Sequence, residues 1–135
     1  AACCLMHNRK EAVYEDFQKD FLADLQECVA IAHKAGIADD RIILDPGVGF
    51  GKTYEMNLEI INHLEIMKKL GYPILLGTSR KSVIGLTLDL PADERVEGTL
   101  VTTVMGVMKG CSFVRVHDIK ENVRAVRMTE AILSR

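Results

Sequence analysis

The sequence predicts an α/β protein built from about four parallel strand–helix units. Three observations predict it. A short apolar run recurs four times along the 135 residues, each time followed by a loop and then a helical pattern. The runs are nearly continuous in apolar residues, which suits a parallel sheet buried on both faces. Polar residues gather immediately after each run, at the strand ends where α/β proteins place their sites.

The elements follow in order. Ala2–Met6 reads as the first strand. Tyr14, Phe17, Phe21, Leu25 and Cys28 then form an apolar stripe at helical spacing, which predicts a helix from about Tyr14 to Ala35, with Gly36 placed to end it. Ile42–Leu44 is the second strand. Leu58, Ile61, Leu64 and Met67 mark the buried face of a helix from about Glu55 to Leu70, and Gly71 ends it. Ile74–Leu76 is the third strand. The third helix follows Pro91 and runs to about Lys109, with Gly110 as its stop. Phe113–Val116 is the fourth strand. The last helix begins after Asp118, where Asp118 and Glu121 have the spacing of a capping box. No linker or low-complexity segment divides the chain, so residues 1–135 read as one domain. A complete (β/α)8 barrel needs about 250 residues, and the sequence opens inside a predicted strand. Both features suit the second half of such a barrel, cut from a longer protein.

Bulk composition narrows the function. Apolar residues make up 48% of the chain, a globular composition. The formal net charge of −2 argues against a broad nucleic-acid surface, while allowing a local basic pocket. The longest apolar runs are too short for a membrane span, and no signal or transit peptide is visible. Cys3, Cys4, Cys28 and Cys111 suggest no disulfide framework, so a reducing cytoplasm is the expected compartment. Cys3, Cys4 and His7 are poor metal ligands as a set, because neighbouring residues of a strand point to opposite faces.

The stretch LDPGVGFGKT at 44–53 looks like a phosphate loop. A Walker A loop needs glycine five positions before Gly51, where this chain has Pro46, which offers no backbone N–H. The dinucleotide fingerprint also fails, since the third glycine comes too early. The glycines then serve to turn the backbone sharply above a ligand. Asp45 becomes the residue of interest. It is either a turn former before Pro46 or a carboxylate that accepts two parallel hydrogen bonds from an amidine-like N–H pair. The other strand ends carry His7-Asn8-Arg9, then Thr78-Ser79-Arg80-Lys81-Ser82, then Arg115 with His117 and Asp118. The Arg80-Lys81 pair is either a solvated loop or, with Ser82, an anion holder. Ser82, His117 and Asp118 do not make a hydrolase triad: there is no G-x-S-x-G elbow, and Asp118 is adjacent to His117. His33 and His63 fall within predicted helices, where surface or packing roles are the default.

LMHN, LDPGVGFGK, LLGTSRKS and VRVHD, in this order and spacing, resemble dihydropteroate synthase, and GTLVTTV at 98–104 adds to the likeness. The match covers nearly the whole chain, as the carboxy-terminal half of that enzyme. The resemblance implies a (β/α)8 TIM barrel in the full enzyme and an alkyl-group transferase of folate biosynthesis. That enzyme condenses 7,8-dihydropterin-6-ylmethyl diphosphate with p-aminobenzoate and releases pyrophosphate. By position, Asp45 would take the pterin amino and ring N–H groups, and Lys81 the carbonyl side. Met6 and Gly77 would line the pterin pocket. Arg115 would lie against the pterin near the anion, with His117 on the diphosphate. Phe50 and Ser82, with Gly77 between, would shape the p-aminobenzoate side, where sulfonamides also bind. No enzyme nucleophile is implied, because the amine of p-aminobenzoate attacks. The Mg2+ ligand, other diphosphate contacts and two mobile loops would lie in the missing amino-terminal half, so no metal site is expected in this chain, and the chain alone is expected to be inactive. Two open barrel edges imply a homodimer. The alternatives are a pterin-binding methyltransferase domain and a non-catalytic half-barrel. SRKS and RVHD favour the synthase over the first, and a calorimetric titration with a pterin separates it from the second.

Overall fold

A computed structural model describes residues 1–135. Strand β1 (Cys3–Met6) pairs in parallel with β2 (Ile42–Asp45), and β3 (Leu75–Leu76) pairs in parallel with β4 (Phe113–Val114). A bridge between Leu44 and Ile74, with Leu44 N–H donating to the Pro73 carbonyl, joins the two pairs. The spatial order is therefore the chain order, as consecutive parallel strand–helix units produce. Helices α1 (Phe17–Lys34), α2 (Tyr54–Asn62), α3 (Ser82–Leu88), α4 (Val96–Met108) and α5 (Ile119–Leu133) connect and cover the strands.

The core forms where the two central strands meet the helices. Ile42, Leu44, Ile74 and Leu76 pack against Phe21, Leu25 and Val29 of α1, and against Ile60, Ile61, Leu64 and Met67. The outer strands are less covered than the sequence predicts. β1 alternates between half-buried and exposed residues, and Phe113 of β4 is 48% exposed. Even in the central strands only one face is fully buried: Ile42, Leu44 and Leu76 are buried, while Ile43 and Leu75 on the other face are half-buried.

Several helix predictions are corrected. α1 starts at Phe17, with the Asp16 carboxylate accepting from Lys19 N–H at its N-terminus; Tyr14 precedes it and its hydroxyl donates to the Gly51 carbonyl at 2.6 Å. The expected helix from Glu55 to Leu70 is two pieces: α2, capped by Thr53, and a tighter three-residue-per-turn winding over Leu64–Leu70. Leu58, expected inside, is 41% exposed; Ile60 is buried in its stead. His63 sits at the junction of the two pieces. Helix α3 is not among the predicted elements, and the helix after Pro91 is a short turn over Ala92–Glu94 followed by α4. Gly71 and Gly110 do close their helices with positive φ. The Asp118 carboxylate makes no cap at α5; it is held by Arg80. All four cysteines are free.

No helix is long and apolar enough to cross a membrane.

Candidate functional site

The carboxyl end of β1 and the loops after the other three strands converge on a cleft of about 360 Å³, lined by Met6, Asp45, Phe50, Gly77, Ser79, Lys81, Arg115, Val116 and His117; His7, Asn8 and Arg9 do not line it. Of the residues singled out in the sequence, Met6, Asp45, Gly77, Lys81, Arg115, His117 and Phe50 meet here. Ser82 does not: it is the first, exposed residue of α3 and lies outside the lining.

Asp45 ends β2 and performs the turn-forming task with one oxygen. Its Oδ1 accepts the Gly47 N–H at 2.8 Å; no protein donor engages Oδ2. Burial raises its pKa above the ordinary carboxylate value, against the pull of the Gly47 N–H and of the charges on Lys81, Lys52 and Arg115. A part-buried carboxylate with one free oxygen is suited to a ligand that brings its own N–H donors.

Three cations surround that acid. Lys81 Nζ donates to the Val48 carbonyl at 2.6 Å and lies 5.0 Å from the centre of the Phe50 ring. Its pKa is lowered by burial, opposed by Asp45 and assisted by Arg115. Arg115 lines the cleft and takes part in none of the protein's ion pairs, so its guanidinium is free for an anion. Lys52 lies behind the glycine loop. It donates to His7 Nδ1 at 2.8 Å, to the Gly47 carbonyl at 2.9 Å and to the Phe50 carbonyl at 3.0 Å.

The glycine loop is bolted to the loop after β1. A Cβ on Gly47, where φ is +67°, would fall 1.8 Å from the His7 carbonyl oxygen, and one on Gly51 would fall 2.5 Å from the Arg9 backbone. Only glycine tolerates both the left-handed backbone and the close approach. Thr53, the last residue of the apparent phosphate motif, caps α2 through Met56 N–H, and buried Asn57 accepts the Gly49 N–H at 2.8 Å. The Lys52 and Thr53 side chains and the Gly49 N–H are thus spent on shaping the loop.

The SRK loop is held from below by α4. The Thr78 hydroxyl meets that of Thr102 at 2.6 Å, and the Arg80 N–H donates to the Thr99 hydroxyl at 3.1 Å. Arg80 has φ of +59°, uncommon outside glycine. It is fixed there by Asp118 at 3.0 Å and by Arg95, which donates to its carbonyl at 2.7 Å. Arg80 therefore faces away from ligand duty and clamps the third loop to the fourth. Sequence reasoning assigns no site roles to Ser79, Lys52 or the threonines of GTLVTTV. The clustered Thr99, Thr102 and Thr103, all buried, were the available signal, since buried hydroxyls must find partners.

A charged cleft at the carboxyl ends of a parallel α/β sheet defines a class, and the family model for pterin binding enzymes matches residues 1–117. The chain belongs to that family. The particular relatives it is similar to are dihydropteroate synthases. The enzyme of Clostridium beijerinckii is 63% identical over 134 residues, 98% of this chain and 50% of the relative. That of Bacillus subtilis is 54% identical over 131 residues, 97% of this chain and 46% of the relative. Among solved structures, the dihydropteroate synthase of Clostridium difficile in the presence of pteroic acid superimposes with a TM-score of 0.95 at 47% identity, covering 98% of this chain and 51% of that one. A Yersinia pestis dihydropteroate synthase in a sulfonamide drug complex gives 0.94 at 36% identity, over 98% and 51%. The chain spans about half the length of the curated relatives it matches.

Proposed function

We propose that this chain carries the pterin floor and half of the anion site of a dihydropteroate synthase, and that its sheet is the carboxy-terminal half of a (β/α)8 barrel. The observation that carries the reading is the cleft itself, with one part-buried carboxylate, Asp45, facing Lys81, Arg115 and His117. In this reading Asp45 Oδ2 accepts from the pterin amino and ring N–H groups while Oδ1 stays on Gly47. Lys81 sits at the pterin carbonyl, and Met6 and Gly77 line the ring. Arg115 and His117 face the diphosphate, whose C–O bond breaks as negative charge moves onto the leaving oxygens; donors already aimed there stabilise that charge. Asp45 opposes the positive charge left on the pterin methylene. The amine of p-aminobenzoate forms the new C–N bond and gives up its proton. Phe50 supplies an aromatic wall for that second substrate, with Ser82 next to Lys81 at the start of α3, outside the cleft lining, on the same side.

The residues present do not fit a magnesium ion. No group of three or more His, Cys, Asp or Glu side chains is arranged to hold a metal, and the one carboxylate of the cleft stands among cations. Alone, the chain is expected to bind rather than turn over. A second copy is the expected partner for the exposed edges at β1 and β4, and light scattering that returned only the 15.0 kDa of a single chain would remove that partner.

The test is calorimetric titration of pteroic acid into wild type and Asp45→Asn. The variant keeps the size of the side chain but opposes an NH2 to the pterin donors. A charged hydrogen bond contributes about 1.5–3 kcal/mol, so the affinity should drop at least about tenfold. Equal affinities would remove Asp45 from the site.

A further inference from the structure

We propose that Ser79 is a positioning residue that keeps His117 presenting an Nε2–H to the anion of the cleft, whether the imidazole is neutral or charged. The proposal rests on the reading of this cleft as a diphosphate site. Ser79 is a largely buried residue of the cleft lining, and its Oγ makes two contacts with one residue: the His117 backbone N–H donates to it at 3.0 Å, and His117 Nδ1 lies 2.7 Å away. A hydroxyl has one proton and two lone pairs. With the backbone N–H occupying one lone pair and no other protein acceptor beside Oγ, the hydroxyl proton goes to Nδ1, and the neutral ring carries its own proton on Nε2. When the ring is cationic, Nδ1–H donates to the second lone pair of Oγ and Nε2 still bears a proton. The arrangement disfavoured is the neutral ring with Nδ1–H and a bare Nε2, which would turn the serine proton away from the ring and a lone pair toward the anion.

Asp118, next in sequence, does not set the ring, because Arg80 holds its carboxylate. Ser79 is itself fixed from both sides by Thr78 on Thr102 and by Arg80 N–H on Thr99. The charged groups that share the cleft with His117 are Asp45 from β2, Lys81 from the loop after β3 and Arg115 after β4.

Two measurements on the 135-residue chain test this. The first is the imidazole tautomer from 15N shifts of His117 above its titration. The wild type is expected in the Nε2–H form, Ser79→Ala in a mixture, and Ser79→Thr, which keeps the hydroxyl, as wild type. The second is calorimetric binding of inorganic pyrophosphate at one pH below and one pH above the His117 titration that the first measurement locates. The ratio of variant to wild type at each pH cancels the titration of the ligand and of the shared charges. Ser79→Ala should bind about as well as wild type at low pH and more weakly at high pH by the inverse of its Nε2–H fraction, about twofold for an even mixture. A purely structural serine would weaken binding equally at both, which would overturn the proposal. An Nδ1–H wild type that binds pyrophosphate would overturn it while sparing the anion site. An Nε2–H wild type that binds none would overturn the anion site and the role of Ser79 with it.

Discussion

Between Asp24 and Lys52, the His7 ring is engaged at both nitrogens. Nε2 lies 2.8 Å from the Asp24 carboxylate and Nδ1 accepts from the Lys52 ammonium at 2.8 Å. Accepting at Nδ1 requires a neutral imidazole. Burial, then the Lys52 charge, push its pKa down to about 4, outweighing the upward pull of Asp24. Burial likewise lowers Lys52 to about 8. The sign of the His7 effect follows from linkage. The unfolded chain takes up a proton at about 6.5, the folded one only near 4, so the contribution to stability is present above about 6.5 and is lost as pH falls toward 4. The loss is on the order of 3 kcal/mol. Urea unfolding across this window should show wild type losing stability more steeply than His7→Gln, whose amide can face both partners without titrating. Parallel profiles for the two proteins would mean that His7 protonation is not what acid exploits.

At the scale of elements, the glycine loop between β2 and α2 sets the shape of the cleft, and two glycines separate its causes. Gly36, after α1, has φ of +85° with nothing within 4 Å of where a Cβ would sit, whereas Gly47 has φ of +67° and the His7 carbonyl in the way. Gly36→Ala should cost only backbone strain, about 1–3 kcal/mol. Gly47→Ala adds a backbone clash, and should cost clearly more and weaken pteroic acid binding as the loop moves off β1. Thermal unfolding of the two variants checks this; similar losses would show that the contact with His7 yields easily. The same elements show what was legible. Strand positions and the Gly36, Gly71 and Gly110 stops follow from local apolar runs and backbone freedom. The winding over Leu64–Leu70 is also written in the sequence, since Leu64, Met67 and Leu70 recur every three residues, the period of the tighter helix; over so short a stretch the same spacing fits an ordinary helix as well. Helix α3 is hidden by its composition. SVIGLTL contains β-branched residues and a central glycine that local propensity disfavours by about 1 kcal/mol, and packing decides instead: Val83 and Ile84 are buried, and the Arg95 guanidinium lies where a Gly85 Cβ would be. The clamp of Arg80 on Asp118, the serine on His117 and the lysine on His7 join residues 38 and 45 positions apart. Spacing along one element cannot announce such pairs.

Across the whole molecule, two cavities of similar size differ in chemistry. The cleft at the strand ends is charged. A groove of about 320 Å³ between α2, α3 and α4 is apolar, with Leu58, Ile61, Val83, Val101 and Met105 in its lining. A pterin presents a row of donors and acceptors along one edge, and of these two cavities the charged one offers a carboxylate and an ammonium to match it. The sheet that carries this cleft is continuous through the single bridge at Leu44 and Ile74, so binding and the integrity of the β2–β3 seam should be coupled. The measurement that tests the account most directly is a titration of the 15N-labelled chain with pteroic acid, followed by amide shifts. The account predicts saturable changes at Asp45, Gly47, Gly77, Lys81, Arg115 and His117, with Val83, Gly98 and Val101 of the apolar groove unmoved. Changes confined to the groove, or none at saturating pteroic acid, would contradict it.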